Sequence, residues 1–118
     1  NMNWSGNPSK NKYKNKKITV YNIRFDSIAE SNRYLILRSD QSKGLIINLD
    51  LQPKYELQKK GVNKWGQKYR EITYTPDFQY IKNEVLTVED CKGAKSEGYS
   101  LRRRLFMKKH PDIKFLET

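Results

Sequence analysis

The chain has 118 residues, of which 24 are Lys or Arg and 13 are Asp or Glu, giving a net charge of +11. This length predicts one compact domain, and the single Cys and single His exclude an internal disulfide and a structural zinc site built from those residue types. The charge exceeds what solubility requires and predicts a polyanionic partner, while a hydrophobic share of 36% excludes a wholly disordered chain.

Residues 1–17 form the first predicted segment. They are polar and carry five lysines between residues 10 and 17. We interpret them as a flexible basic arm that precedes a single domain over residues 18–118. A solvated tail without a binding role explains the same composition equally well.

A hairpin and a helix are the first regular elements. Residues 18–25 have strand-forming side chains on both sides of a Tyr-Asn pair, which indicates a short hairpin. Ser27 and Glu30 have the spacing of a capping box, so a helix is predicted to begin after Ser27 and to end near Ser39.

The strongest strand pattern covers residues 45–57. Apolar side chains occupy alternate positions from Leu45 and Ile47 onward, so they are predicted to share one buried face. Pro53 cannot donate a hydrogen bond to a ladder, which predicts an edge position or a bulge there.

The remaining elements complete a mixed fold. A loop at residues 59–68 leads to an alternating strand at residues 70–81, and a tight turn leads to a strand at residues 85–92. A helix at residues 99–109 precedes a last strand at residues 112–117. The order αβββαβ predicts an α/β (α+β) fold in which helices flank a mixed β-sheet.

Two carboxylates are predicted to meet where the second and third strands pair. Asp77 lies in the second strand and Asp90 in the third, and the tight turn brings the two side chains together. Lys92 points to the same face as Asp90, because it is two residues farther along an extended strand. Adjacent carboxylates repel unless a proton or cation lies between them, and Mg²⁺ with retained waters fits that requirement. With Lys92 to position the attacking water, the group suits hydrolysis of a phosphodiester.

Two short motifs resemble the signature of the PD-(D/E)XK, or restriction-endonuclease-like, nucleases. They are Pro76-Asp77 and Asp90-Cys91-Lys92. The element order is also similar to the core of that fold. Longer strings resemble a family of small phage and prophage proteins that is placed in this superfamily and long carried as a domain of unknown function. These strings lie at residues 25–30, 51–57, 72–78 and 88–93, and the likeness covers nearly the whole chain.

The resemblance implies a Mg²⁺-dependent DNA endonuclease in which Mn²⁺ substitutes for Mg²⁺. It implies that Asp77 and Asp90 hold the metal and that Lys92 orients or activates the attacking water. Glu30 matches an acidic residue that many of these nucleases carry on their first helix, where it completes the metal shell. The implied substrate is branched DNA, such as a Holliday junction, in phage recombination or DNA processing. Because two related cuts are needed, a twofold homodimer is expected.

Simpler interpretations of the same residues are open. Asp90 and Lys92 also suit an exposed cross-strand charge pair, and Asp77 also suits the start of a turn. Glu30 is explained nearly as well by the capping box alone. Cys91 is predicted to face away from Asp90, into the core.

Three groups of basic residues are candidates for phosphate contacts. The loop at residues 59–68 ranks first, because a tryptophan among lysines can stack on an unpaired base. Packing of Trp65 on the sheet is the alternative. The predicted DNA-binding residues are Lys12, Lys14, Lys16 and Lys17 in the arm, Lys60, Lys64, Trp65, Lys68 and Arg70 at the loop, and Arg102 and Arg103 in the last helix.

A second function from another class explains the same charge. A non-catalytic DNA-binding or packaging accessory protein that retains the fold would also bind DNA. Membrane binding is not expected, since no apolar run approaches the roughly 20 residues that span a bilayer and no basic segment has an apolar face. Residues 1–6 lack a signal-peptide core, so an intracellular protein in a bacterial host is expected.

Overall fold

A computed structural model describes residues 17–91 and 97–118, which fall into two compact units divided after Ser39. The described residues contain two helices and ten strands, which confirms the predicted mixed α/β class. In these residues neither helix is long and apolar enough to cross a membrane. The single domain over residues 18–118 stays a prediction. The predicted basic arm lies outside the described residues except for Lys17, which forms an ion pair with Asp26 at 3.5 Å.

The first unit confirms the predicted hairpin. Its strands, β1 (Ile18–Val20) and β2 (Ile23–Phe25), pair antiparallel. Tyr21 and Asn22 between them have φ of 51° and 65°, the conformation of the two-residue turn that hairpins favour. The helix α1 (Ile28–Ser42) follows and extends beyond the end predicted near Ser39.

The second unit is built on a four-stranded sheet in the order β10-β9-β8-β3. β8 is antiparallel to both β3 and β9, whereas β10 is parallel to β9. A parallel pair needs a crossover, and the helix α2 supplies it. With α1, these elements follow the predicted order αβββαβ. Their bounds are β3 (Ile47–Leu51), β8 (Phe78–Lys82), β9 (Val85–Asp90), α2 (Glu97–Lys109) and β10 (Lys114–Glu117).

Two of the predicted strands are each divided between two ladders. The strand predicted at residues 45–57 breaks at Pro53, and that predicted at residues 70–81 breaks at Pro76. Proline has no N–H to donate, so a ladder ends readily at that position. The outer halves pair with each other in a separate antiparallel ladder, as β4 (Tyr55–Gln58) and β7 (Ile72–Tyr74).

The predicted loop beyond this ladder contains a further hairpin, β5 (Gly61–Val62) and β6 (Lys68–Tyr69). The strands approach closely at Gly61, where a Cβ atom would overlap the Tyr69 ring. We call residues 55–74 the β-arm. It consists of two consecutive antiparallel ladders, and its first and last residues pair with each other.

The predicted buried face of β3 is wrong at its start. Leu45 and Ile47 are 56% and 52% exposed, whereas Ile46 between them is 3% exposed. Asn48 has φ of 57°, and the register between β3 and β8 shifts by one residue beside it. Such a bulge adds a residue to one strand, so side chains beyond it change faces.

An aromatic core joins α2 to the β-arm and the sheet. Phe106 on α2 is fully buried and clusters with Tyr74 and Val88. Its ring centre lies 4.9 Å from that of Tyr55 and 5.5 Å from that of Tyr74. The helix therefore packs against the arm where the arm leaves the sheet.

Replacing Phe106 tests this core. We expect Phe106→Ala to lower the free energy of unfolding by about 3–5 kcal/mol, because the variant leaves a cavity among aromatic rings. Chemical denaturation monitored by circular dichroism measures the loss. Met107→Ala is the control, since Met107 is the next residue of α2 and is 37% exposed. A loss at Phe106 no larger than at Met107 would contradict the assigned core.

Candidate active site

Asp77 and Asp90 lie side by side where β8 begins and β9 ends. Asp77 directly precedes β8, and Asp90 is the last residue of β9. The two strands pair antiparallel with Phe78 opposite Glu89, so the next residues along the ladder are Asp77 and Asp90. The structure thus brings these two predicted site residues together.

Each carboxylate accepts a hydrogen bond from the backbone of the strand that carries the other. The Asp77 N–H donates to Asp90 Oδ1 at 3.1 Å, and the Cys91 N–H donates to Asp77 Oδ2 at 2.8 Å. We call this arrangement the carboxylate clasp. The two N–H dipoles point positive charge at the acids, which offsets part of the repulsion between them.

Tyr74 provides a further donor to the clasp. Its hydroxyl donates a hydrogen bond to Asp90 Oδ2, and Tyr74 and Asp90 are only 3% and 5% exposed. Burial raises the pKa of Tyr74 far above its usual value, and the hydrogen bond to Asp90 and the charge of that carboxylate raise it further. Tyr74 therefore remains a neutral donor at physiological pH.

A second tyrosine–carboxylate pair flanks the clasp. Glu117 of β10 pairs in parallel register with Asp90, and the Tyr99 hydroxyl donates to Glu117 Oε2 at 2.6 Å. Burial and then this hydrogen bond raise the pKa of Tyr99, while nearby Arg103 partly opposes the increase. The ring centres of Tyr74 and Tyr99 are 6.4 Å apart, so the two tyrosine–carboxylate pairs lie next to each other.

Glu89 lies on the opposite face of β9, as alternation in a strand requires. It is fully buried, and it accepts hydrogen bonds from the Tyr80 hydroxyl at 2.8 Å and the Thr118 hydroxyl at 3.2 Å. A buried carboxylate is stable only with such partners. The Thr118 N–H also donates to the Asp90 carbonyl at 2.9 Å, so Thr118 holds β10 against the end of β9.

The predicted helix cap at Ser27 is confirmed in the first unit. The Glu30 N–H donates to Ser27 Oγ at 3.1 Å, and the Ser27 hydroxyl donates to Glu30 Oε1 at 3.3 Å. These contacts account for Glu30 by helix capping. Its part in a metal shell stays a prediction.

The two carboxylates of the clasp suit Mg²⁺ better than a metal ion that takes all its ligands from protein side chains. Among residues 17–91 and 97–118, no group of three or more His, Cys, Asp or Glu side chains could hold a metal ion. Magnesium commonly uses one or two protein carboxylates and retains several waters. A carboxylate oxygen has two lone pairs, so one accepted hydrogen bond leaves it able to bind a cation. Lys92 lies outside the described residues.

Apart from Lys17, which is exposed and paired with Asp26, the predicted DNA-binding residues of the described chain lie in the β-arm and on α2. Those of the β-arm are all exposed, whereas Arg102 and Arg103 on α2 are half-buried. The buried Nε of Arg103 has no hydrogen-bond partner among the described residues. Lys12, Lys14 and Lys16 lie outside the described residues. The exposed group consists of Lys60, Lys64, Trp65, Lys68 and Arg70.

Sequence reasoning missed three side chains around the two carboxylates, and it missed the burial of Glu89 on the other face of β9. The three side chains are those of Tyr74, Tyr99 and Glu117. The pairing of Glu117 with Asp90 depends on the register of a parallel crossover, which no turn fixes. Glu89 carried one usable signal, since a charged residue beside Val88 in a predicted strand must find a partner if its face is buried.

Comparison with known proteins gives one match. A family model described as "Protein of unknown function (DUF1064)" covers residues 10–117. Searches of curated proteins and of solved structures gave no match. The match confirms the likeness to a family carried as a domain of unknown function, and the nuclease assignment of that family stays a prediction.

The hydroxyl of Tyr74 is expected to stabilise the folded chain. We expect Tyr74→Phe to lower the free energy of unfolding by about 1–3 kcal/mol at neutral pH, because Asp90 loses a donor in a buried position. A raised pKa in the folded state means that this contribution is complete below pH 10 and is lost as pH rises through the folded pKa. Tyr74→Phe should therefore show a weaker decline of stability above pH 10 than the parent chain.

Urea denaturation across pH 7 to 11 measures both effects. Tyr21→Phe is the control, since Tyr21 is 61% exposed. An equal loss in both variants would contradict the role assigned to the buried hydroxyl.

Proposed function

Since the chain belongs to the DUF1064 family of proteins of unknown function, we propose its function from its own geometry: it is a Mg²⁺-dependent DNA endonuclease. The observation that supports this proposal is the carboxylate clasp. Each of the two acids is fixed by a backbone N–H, Asp90 by that of Asp77 and Asp77 by that of Cys91, in a chain of net charge +11. The charge suits a polyanionic substrate, and the paired acids suit the ion that phosphodiester hydrolysis uses.

In this proposal Asp77 and Asp90 hold the metal through their carboxylate oxygens. Bound Mg²⁺ would polarise the scissile phosphate and lower the pKa of a water ligand. The clasp and the Tyr74 hydroxyl fix the acids beforehand, so little side-chain ordering is required when the site is loaded. Lys92, two residues after Asp90 in the sequence, would orient the attacking water and assist its deprotonation.

The proposed substrate is branched DNA, as in a Holliday junction, during recombination or processing of phage DNA. Resolving such a junction takes two related cuts, and a homodimer with twofold symmetry would supply two copies of the clasp. Mn²⁺ is expected to replace Mg²⁺, since both accept oxygen ligands. In a phage or prophage setting the protein would act inside the bacterial host.

One observation favours a non-catalytic alternative. Asp90 is 5% exposed, and each of its carboxylate oxygens already accepts a hydrogen bond from within the chain. With these contacts, the clasp could have a purely structural role, in which it holds β8 and β9 together. The protein would then be a DNA-binding or packaging accessory that retains the fold.

Cleavage assays with variants of the clasp separate these functions. We expect purified chain to cut a four-way junction or flap in Mg²⁺ or Mn²⁺, and Asp77→Asn and Asp90→Asn each to reduce cleavage by at least about a hundredfold. DNA affinity in EDTA should remain within about threefold, because phosphate contacts by basic side chains supply most of it. Asp77 is the more exposed member, so its variant remains informative if Asp90→Asn unfolds.

Asp112→Asn is the matched control, since Asp112 is an exposed acid outside the clasp. It should cut at the parent rate. A folded chain that binds DNA but cuts none of these substrates with either metal ion would contradict the nuclease proposal and support the accessory function.

Glu30→Gln tests the metal-ligand role that the family resemblance implies for Glu30. A capping box accepts Gln at this position, so the melting temperature should change little. If Glu30 is a metal ligand, as the resemblance implies, the variant needs at least about tenfold more Mg²⁺ for half-maximal cleavage. Glu97→Gln, in the first turn of α2, is the control and should leave the Mg²⁺ requirement unchanged. A normal requirement in Glu30→Gln would leave Glu30 as a helix cap only.

A further inference from the structure

The tip of the β-arm places a tryptophan in open solvent. Trp65 is 78% exposed, so the alternative from the sequence, packing on the sheet, is wrong. Tryptophan is a large apolar side chain whose exposure to water is unfavourable. Val62 and Tyr69, in the strands below the tip, are also 58% and 49% exposed. The arm therefore presents apolar surface that the described fold does not cover.

The turn that carries Trp65 is held by a dense set of hydrogen bonds. The Asn63 side-chain oxygen accepts the N–H groups of Trp65 at 2.9 Å and Gln67 at 3.0 Å. The Asn63 amide donates to Gln67 Oε1 at 2.8 Å. Gly66 has φ of 80°, a conformation that glycine adopts at little cost. The turn is thus ordered on both sides of a side chain that contributes nothing to the core.

The charge of the tip has one sign. Between residues 60 and 70 the chain has four basic residues and no acidic residue. Lys64 Nζ lies 5.1 Å from the centre of the Trp65 ring, so a cation accompanies the aromatic face. The nearest acid before this stretch, Glu56, is paired with Lys59 at 3.1 Å. The nearest acid after it is Glu71, which lines a cavity together with Lys60. An exposed aromatic ring with a lysine beside it, in a stretch that is basic throughout, is complementary to a base flanked by phosphates.

We propose that the tip of the β-arm is a stacking site for an unpaired DNA base, with Trp65 against the base and the neighbouring lysines against its phosphates. The inference rests on the proposed function and specifies a substrate with single-stranded or branch-point bases. Every base has an aromatic face, so such a site selects DNA structure and not sequence. The ordered turn reduces the entropy lost when the ring is immobilised on a base.

Binding in EDTA tests the site without cleavage. Fluorescence anisotropy of the full chain is measured with a duplex carrying a three-nucleotide bulge and with a fully paired duplex of the same length. We expect Trp65→Ala to lower affinity for the bulged duplex at least about fivefold, and affinity for the paired duplex less than about twofold. Trp65→Tyr should restore most of the preference. Leu45→Ala, at an exposed apolar residue outside the β-arm, should change neither affinity.

A spectroscopic readout accompanies the affinities. The chain has two tryptophans, so Trp4→Phe leaves Trp65 as the sole tryptophan, which is excited at wavelengths that the eight tyrosines do not absorb. Its fluorescence should be quenched by the bulged duplex and much less by the paired one, because stacking brings the base onto the ring.

Each outcome bears on the stacking site. Equal losses for both duplexes, or no loss for either, would overturn it. Trp65-dependent binding to anionic phosphatidylglycerol vesicles, without a preference for bulged DNA, would also overturn it and indicate a membrane surface. If bulge binding depends on Trp65 but no metal-dependent cutting occurs, the stacking site is supported and the nuclease proposal fails. If cutting occurs without any effect of Trp65→Ala on bulge preference, only the stacking site fails.

Discussion

Two like charges are held side by side in this chain because each carboxylate accepts an N–H from the strand that carries the other. Asp77 and Asp90 thereby join the start of β8 to the end of β9. Tyr74 donates to Asp90 and also packs on Phe106, so the acids, the aromatic core and the β-arm share one side chain. The packing around the start of β8 and the end of β9 depends on these contacts. The hydrogen bonds are partly or fully buried, which strengthens them and penalises departures from their geometry.

The same contacts support both functions considered for the chain. Donors that fix a carboxylate in place reduce the work of loading a cation, and they equally make the carboxylate a structural fastening. The geometry of the clasp is therefore compatible with either function, and only the presence or absence of DNA cleavage distinguishes them. The β-arm adds an independent feature, since its exposed tip lies outside the aromatic core. Our proposals assign reaction to the clasp and recognition of DNA to this tip, which are different elements of one small unit.

The sequence could locate the clasp because a two-residue turn fixes hairpin register. Asn83 and Glu84 both have positive φ, and Asp77 and Asp90 are equally far from them along the chain. Other features depended on tertiary structure. The bulge at Asn48 puts the side chains before it on the other face from the one predicted, and no local pattern predicts the bulge. The partners Tyr74, Tyr99 and Glu117 meet through core packing and a parallel crossover, neither of which is encoded by spacing along one strand.

The root of the β-arm has a consequence for how such a fold can diversify. Tyr55 and Tyr74 pair directly across the ladder, so the arm enters and leaves the domain at neighbouring positions. The Tyr55 hydroxyl also donates to Gln79 on β8, which anchors the root to the sheet. An insertion with adjacent ends can lengthen, shorten or exchange its tip at a small entropic penalty, without displacing the strands beneath it. Changes at the tip would then alter what the arm binds while the sheet beneath it stays the same.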